Sequence, residues 1–148
     1  MTGLFTRDYF DEIIGRELER SRRQQLSTSV LSVVLTNYEG LLTAHGEEAR
    51  DRAVIEAAKV LLAGVREKDS IFRWEDDEFL VVLLDADASA AALKVQQLAA
   101  LFRPWRDGQG PLPFPLRLRI GSATHTRTIV FANVVMAARA AARQKTQV

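Results

Sequence analysis

Two short charged segments carry the residues of this sequence best suited to chemistry. Glu75, Asp76, Asp77 and Glu78 form an unbroken run of carboxylates, directly followed by Phe79, and the spaced pair Arg66 and Asp69 precedes them. Carboxylates are the hard oxygen ligands that Mg²⁺ prefers. An arginine fork can donate two parallel hydrogen bonds to a phosphate or a carboxylate, and an aspartate accepts from N–H donors. The sequence therefore contains a candidate cation site and, close to it along the chain, a charged pair that could hold a polar or anionic ligand.

Hydrophobic patterning predicts the elements that position these two segments. A strand over 70–74 and a strand over 79–84 enclose the acidic run, which is therefore the turn of a β-hairpin. Arg66 and Asp69 fall between a predicted helix and the first of these strands. The other predicted elements are helix 6–26 with Thr6 as its N-cap, strand 29–36, helices 38–45 and 47–65, helix 87–103, loop 104–115, strand 116–123 and helix 129–144. This order predicts an α/β sandwich whose sheet is at least partly antiparallel.

Composition narrows the class of protein. A length of 148 residues suits one compact domain, and 47% hydrophobic residues can form a core without cross-links. The absence of cysteine excludes disulfides and thiolate metal sites and fits a cytoplasmic location. A net charge of +1 argues against coating nucleic acid, so an anionic ligand has to be held by a few local arginines. Apolar stretches are short, so we expect no insertion into a membrane.

Five motifs spread over the whole chain resemble those of the GGDEF family of diguanylate cyclases. The hairpin segment 73–80 resembles the signature hairpin that names the family. The other four are segment 2–7, which resembles the opening turn; Gly46 to Asp51 with Val54; Ile120-Gly121; and Ala132-Asn133 with Met136. The resemblance implies a five-stranded, mainly antiparallel sheet flanked by helices, similar to adenylyl cyclases. It also implies one degenerate domain over 1–148, of a kind that usually ends a longer sensory protein.

The family's catalytic chemistry needs metal ligands that this sequence has exchanged. Members join two GTP molecules into cyclic di-GMP with the help of two metal ions. The position of the first-strand metal aspartate aligns with Val34, and a second aspartate aligns with Thr36. Asp77 and Glu78 remain in the hairpin, so only one of the two segments that supply metal ligands in the family still carries carboxylates. We therefore expect a domain that is not an enzyme, requires no cofactor and holds no metal ion.

Nucleotide recognition is altered as well. Glu75 and Asp76 stand where the family has two glycines, which would let phosphates approach the backbone. Both residues place negative charge where a triphosphate would lie. The family's guanine-reading asparagine aligns with Leu42, and its phosphate-contacting lysine aligns with Ala140. For the acidic run itself we favour a solvated turn, with a new metal site made from its four carboxylates as the alternative.

Arg66 and Asp69 match the family's inhibitory-site pattern, Arg-x-x-Asp, at the family's distance from the hairpin. The resemblance implies a binding site for cyclic di-GMP, and we expect both side chains to face outward from a turn. Arg73, Lys94, Arg103 and Arg106 are candidates for the further cations that the two phosphates require. The alternatives are a chance match, a surface ion pair between residues three apart, and an inherited pattern without a present ligand.

Three functions remain open on the sequence alone. The first is a cyclic di-GMP receptor that passes its state to another protein or another domain of a longer chain. The second is a protein-interaction or dimerisation scaffold that binds no nucleotide, because the alanine-rich segment Ala137–Ala142 would suit close helix packing in a homodimer. The third is a residual GTP-binding domain or a weakly active cyclase.

Overall fold

The computed structural model describes residues 4–125 and 131–144 of the chain. Thr2 and Gly3 of the opening motif, and the predicted start of the last helix at 129–130, lie outside the described residues. The strands are β1 (Leu4–Thr6), β2 (Thr28–Leu35), β3 (Ser70–Glu75), β4 (Glu78–Leu83) and β5 (Leu118–His125). The helices are α1 (Phe10–Arg23), α2 (Tyr38–His45), α3 (Glu47–Gly64), α4 (Ala88–Arg106) and α5 (Phe131–Gln144), and a 3₁₀ turn, Arg7–Tyr9, precedes α1.

The five strands form one mixed sheet in the order β1-β3-β4-β2-β5. The pairs β3–β4, β4–β2 and β2–β5 are antiparallel, whereas β1 runs parallel to β3. The predicted five-stranded, mainly antiparallel sheet flanked by helices is therefore confirmed. Hydrophobic patterning alone did not predict β1, because a three-residue strand is too short to show an alternating pattern.

Each face of the sheet has its own apolar core. Side chains such as Leu31, Val33 and Val81 pack with α2, α3 and α4 on one face. Side chains such as Val30 and Leu80 pack with α1 and α5 on the other. Alternation along each strand sends neighbouring residues to opposite faces. The end of β4 nearest the hairpin turn therefore directs Glu78 to the face covered by α1 and α5.

The acidic hairpin turns without a left-handed residue, since neither Glu75 nor Asp76 has positive φ. The register shifts between Arg73 and Glu75. The Arg73 guanidinium donates to the carbonyl oxygens of Glu75 and Asp76, which holds the turn from within. Arg73 is therefore part of the hairpin's own structure.

Two local predictions were wrong. Helix α4 continues through Pro104 to Arg106, where a loop was predicted from residue 104. Proline is tolerated there because only the last turn loses a hydrogen bond, and the Pro104 carbonyl still accepts from the Gln109 N–H at 2.7 Å. Thr6 does not cap α1, which begins at Phe10 after the 3₁₀ turn. No helix among the described residues is long and apolar enough to span a bilayer.

Candidate functional site

Glu78 is a buried carboxylate at the start of β4, with 0% of its surface exposed. Its Oε2 accepts from the Ser32 hydroxyl at 2.7 Å. The Arg139 Nε donates to both carboxylate oxygens, at 3.1 Å and 3.0 Å. A buried charge needs a partner and hydrogen bonds to remain ionised. Arg139 of α5 supplies that partner, so the interpretation of the acidic run as a solvated turn was wrong for Glu78.

Helix α5 reaches the carboxylates because it packs unusually close to the sheet. A side chain at Gly121 of β5 would overlap the α5 backbone at Ala138 and Ala142. Both alanines are fully buried against the sheet. Ala138 and Ala142 therefore pack within the chain, whereas Ala137 and Ala140 of the alanine-rich segment are exposed.

Two arginines of α5 bind all but one of the hairpin carboxylates. Arg139 also lies 3.7 Å from Glu75. Arg143 lies 3.5 Å from Asp77 and 3.7 Å from Glu78. Among these described residues, Asp76 pairs with neither arginine, and its carbonyl accepts from Arg73. The guanidinium groups therefore place positive charge beside these carboxylates, in the position where a bound cation would otherwise compensate them.

Val34 of β2 lies beside Glu78 on the same face of the sheet. It pairs with Glu78 across β4 and with Arg119 across β5, and it is 2% exposed. Arg119 NH1 donates to the Arg143 carbonyl at 2.9 Å, which joins β5 to the end of α5. The position aligned with the family's metal aspartate is thus an apolar side chain beneath an arginine–carboxylate network. Within 4–125 and 131–144, no three acidic or histidine side chains are grouped so that they could hold a metal ion.

Arg66 and Asp69 form a forked ion pair between the end of α3 and the start of β3. Arg66 Nε and NH2 donate to the two Asp69 oxygens at 3.0 Å and 2.7 Å, and the Arg66 backbone N–H donates at 2.9 Å. Arg66 NH2 also donates to the Leu84 carbonyl at 2.8 Å. The hydrogen bonds that the guanidinium of Arg66 donates to Asp69 raise the pKa of Arg66 above its ordinary value.

The two members of this pair differ in exposure. The Asp69 side chain is 0% exposed, whereas that of Arg66 is 41% exposed. The expectation that both face outward was therefore wrong for Asp69. The Asp69 carboxylate accepts three hydrogen bonds from Arg66, two of them from the guanidinium, so Asp69 fixes the direction of that group.

A groove of about 130 Å³ lies beside Arg66, between the sheet and α4. Its other lining residues are Leu83, Ala86, Ala90, Leu93, Lys94 and Gln97. Lys94 Nζ donates to the Gly64 carbonyl at the end of α3, at 2.9 Å. The structure thus brings Lys94 beside Arg66, whereas Arg73 is engaged in the hairpin turn.

Two further cations gather next to Arg66 around Asp85. Lys68 Nζ lies 3.2 Å and Arg20 NH2 lies 3.3 Å from the Asp85 carboxylate. Burial alone would raise the pKa of Asp85, but hydrogen bonds and charge from Lys68 and Arg20 outweigh burial and hold it below its ordinary value. Sequence reasoning missed Arg20 because it lies on another helix, 46 positions before Arg66. We call Arg66, Lys68 and Arg20 the basic cluster.

Comparison with known proteins places these features in one family. A family model described as "Diguanylate cyclase, GGDEF domain" matches residues 1–147. Among curated proteins, diguanylate cyclase DgcS of Shewanella oneidensis is 28% identical over 100 residues, 68% of this chain and 33% of DgcS. Probable diguanylate cyclase DgcC of Escherichia coli is 24% identical over 62% of this chain and 24% of DgcC. The chain spans a third or less of the length of these two relatives.

Solved structures share the fold. The diguanylate cyclase SiaD of Pseudomonas aeruginosa, solved with its activator SiaC, has a TM-score of 0.83 at 22% identity, over 93% of this chain and 53% of that one. The domain from DgcB of Caulobacter crescentus, solved with c-di-GMP, has a TM-score of 0.83 at 16% identity, over 96% and 85% of the two chains. At these identities the likeness shows the fold alone.

Proposed function

Because the chain belongs to the GGDEF domain family, we propose that it is a non-catalytic member that binds cyclic di-GMP through the surface around Arg66. The observation that carries this proposal is the forked Arg66–Asp69 pair, which presents a half-exposed guanidinium. Because the Nε and NH2 of Arg66 already donate to Asp69, the half-exposed guanidinium would hold the ligand by charge-assisted contact with a phosphate and not through that forked edge. In a longer parent protein, the bound state would be passed to another domain or a partner protein.

The loss of catalysis is argued from the hairpin. Metal-dependent joining of two nucleotides requires free oxygen ligands for Mg²⁺. Here Glu78 is bound by Arg139 and Ser32, and Val34 offers no ligand atom. A guanidinium competes with a metal ion for the same carboxylate oxygens. These contacts support a domain that neither requires a cofactor nor turns over GTP.

Asp69 has a different role in this proposal from the one that the sequence pattern suggested. Its carboxylate lies beneath the Arg66 side chain and contacts no solvent. A guanine N–H could reach it only if the pair opened. We therefore assign Asp69 as a positioning residue that holds Arg66 for the ligand.

The phosphates of the dinucleotide require further positive charge. The basic cluster supplies it, since the side chains of Arg20 and Lys68 are 37% and 48% exposed. The groove is too small to enclose a dinucleotide, so the ligand would lie across the cluster and along α4. The complex recorded for DgcB supports this ligand, because that domain of the same fold was solved with c-di-GMP.

Calorimetry with cyclic di-GMP tests the proposal. Wild type should bind, Arg66→Ala should lose at least tenfold in affinity, and Arg52→Ala, an exposed arginine of α3, should bind as wild type does. Arg66→Lys keeps the charge without the fork and should bind with intermediate affinity. Equal binding by wild type and Arg66→Ala, or no heat at high ligand concentration, would overturn the receptor proposal.

A protein-interaction module is the second candidate, and one observation favours it. The outer side of α4 exposes Leu93 and Leu101, at 55% and 42%. SiaD, a cyclase of similar fold, was solved with a protein activator. If cyclic di-GMP fails to bind but Leu93→Glu abolishes an association of the full chain, this candidate replaces the receptor.

A residual cyclase or GTP-binding domain is the third candidate. It predicts cyclic di-GMP in a chromatogram after incubation with GTP and either Mg²⁺ or Mn²⁺, or a heat of GTP binding. We expect neither. Product formation by wild type that Glu78→Gln abolishes would show that the Arg139 pair opens to admit metal, and would overturn the non-catalytic assignment.

A further inference from the structure

The turn between β4 and α4 places one carboxylate, that of Asp85, beside the cations of the basic cluster. Its Oδ2 lies 3.2 Å from Lys68 Nζ, and its Oδ1 accepts from Arg20 NH2 at 3.3 Å. Lys68 comes from the turn before β3 and Arg20 comes from α1, so two separate segments direct their cations at this side chain. The positive charge of these two residues is therefore matched within the chain.

The backbone holds Asp85 in this place. Its φ is 54°, in the left-handed region that aspartate and asparagine adopt more readily than most residues other than glycine. The Leu84 carbonyl accepts from Arg66 NH2 at 2.8 Å, and the Ala86 N–H donates to the Ser27 carbonyl at 2.9 Å. Contacts on both sides therefore fix the turn, and Arg66, the third cation of the cluster, is bound to the residue next to Asp85.

The Asp85 carboxylate offers the two cations the same kind of contact that a phosphate would offer. Carboxylates and phosphates both accept charge-assisted hydrogen bonds from lysine and arginine. The side chains of Lys68 and Arg20 are 48% and 37% exposed, whereas that of Asp85 is 20% exposed. An anion from solvent can therefore reach both cations, but it can bind both fully only by displacing this carboxylate.

We propose that Asp85 is an internal competitor for the phosphates of the ligand, and that it occupies the anion position between Lys68 and Arg20 in the free domain. The inference rests on the proposed function for the identity of the ligand, and it adds a residue that lowers the affinity. A singly charged anion replaces the Asp85 carboxylate with little gain, whereas a pair of phosphates brings more charge to the same cations. Asp85 therefore makes the cluster selective for ligands with two phosphates.

The opposite role for Asp85 makes the opposite prediction. If Asp85 only positioned Lys68 and Arg20 for the ligand, removing its carboxylate would release both side chains and weaken binding. If Asp85 competes with the ligand, removing its carboxylate should tighten binding. The sign of the change in affinity therefore decides between the two roles.

Calorimetry of the full chain with inorganic pyrophosphate is the first test, because this probe presents two linked phosphates without a base. Asp85→Asn should bind about tenfold more tightly than wild type, a modest gain because solvent screens partly exposed charges. Asp85→Gly is the second variant, since glycine also adopts positive φ, and its affinity should change in the same direction. Circular dichroism at the titration temperature checks that both variants are folded.

Asp87→Asn is the matched control for net charge. It removes one carboxylate two positions further along the chain, and asparagine caps a helix as aspartate does. This variant should bind pyrophosphate within about twofold of wild type, because Asp87 is not paired with the cluster. Unchanged, weaker or undetectable binding by the Asp85 variants, or an equal gain in Asp87→Asn, would overturn the proposal.

Lys68→Ala tests whether Asp85 acts through the cation that it binds. In the wild-type background Lys68 is held by Asp85, so Lys68→Ala should cost little affinity for pyrophosphate. In the Asp85→Asn background the same substitution should remove most of the gain, because residues in one network are coupled. An equal cost in both backgrounds would show that Asp85 does not compete for Lys68.

Titration of wild type and Asp85→Asn with cyclic di-GMP separates this inference from the receptor proposal. Tighter binding of both ligands by Asp85→Asn supports both. A gain with pyrophosphate, together with no binding of cyclic di-GMP by either protein, would overturn the receptor and leave Asp85 as a competitor for another phosphate ligand. Binding of cyclic di-GMP by wild type, without a gain for Asp85→Asn with either ligand, would leave the receptor and overturn the role of Asp85.

Discussion

Glu78 of β4 and Arg139 of α5 form an ion pair at 3.0 Å beneath the hairpin turn, with the carboxylate fully buried. This pair joins the signature hairpin to the last helix. Arg139 binds the carboxylate oxygens of Glu78, which a metal-dependent cyclase would need as ligands for its cations. The non-catalytic assignment and the first prediction both depend on it.

Removing Arg139 should destabilise the fold more than removing the charge of Glu78. Arg139→Ala leaves a buried carboxylate without its main partner, and we expect a loss of about 1–3 kcal/mol, below the range for fully buried pairs because Arg139 is a third exposed. Glu78→Gln removes the charge but still accepts from Ser32, so it should cost less. Urea unfolding measures both. Arg22→Ala, which breaks an exposed pair with Glu19, is the control and should change stability by less than about 0.5 kcal/mol.

The close approach of α5 to the sheet gives a second prediction. Gly121→Ala places a methyl group into the α5 backbone, and we expect a loss of about 2–3 kcal/mol or more. Gly40→Ala is the control, because a side chain there meets nothing within 4 Å and alanine favours the helix. Gly40→Ala should be neutral or slightly stabilising in thermal unfolding. Equal stability of both variants would contradict the described packing of α5.

A third prediction concerns acid. The pKa of Asp85 is lower folded than unfolded, because Lys68 and Arg20 outweigh the effect of burial. A lowered pKa contributes stability that is present above the unfolded value of about 4 and is lost as pH falls through the folded value. Asp85→Asn should therefore be less stable than wild type at pH 7, and the difference should shrink as the pH falls below the unfolded value. Asparagine tolerates the left-handed backbone at this position, where φ is 54°, so the comparison isolates charge.

If the difference between wild type and Asp85→Asn stays constant from pH 7 to pH 3, charge at Asp85 does not stabilise the basic cluster. Chemical unfolding at each pH measures the difference in unfolding free energy between the two proteins. Asp76→Asn, in the exposed hairpin turn, serves as the reference for an unrelated carboxylate.

A fourth prediction separates the two members of the Arg66–Asp69 pair. Asp69→Asn keeps the shape but weakens the fork, so cyclic di-GMP should bind several-fold more weakly, and Arg66→Ala should weaken binding further. If Asp69 contacted guanine directly, the two substitutions would cost similar affinity. Circular dichroism at the titration temperature must show that both variants are folded, because Arg66→Ala leaves the Asp69 carboxylate buried without its main partner.

Much of the fold could be predicted from the sequence. The helix 47–65 follows from its apolar side, and the hairpin around residues 75–78 follows from the two apolar strands that enclose it. The short helix 38–45 was predicted with the same bounds on a weaker pattern. Strand β1 could not be predicted this way, since its stability comes from pairing with β3 and not from local pattern. The end of α4 was placed too early because proline was taken to end the helix, whereas proline is tolerated in a last turn.

The site was harder to predict than the fold. The segments of Arg66, Asp69 and the hairpin were singled out by their resemblance to motifs of the family. The partners that fix their roles come from distant segments, such as Arg139 for Glu78 and Arg20 for Asp85. One signal was available: Glu78 shares its strand face with the buried Leu80 and Val82, and a carboxylate on an apolar face requires a cation. The sequence could not say that the cation is an arginine of α5.

Chemical-shift mapping by heteronuclear NMR tests the central claim most directly, because it locates the ligand as well as detecting it. Titration of the wild-type chain with cyclic di-GMP should shift the backbone amides of residues 66–69 and of the neighbouring segment 90–97 of α4. Amides of 75–78 should stay unchanged. Shifts centred on the hairpin, or no shifts at ligand excess, would contradict a receptor built around Arg66.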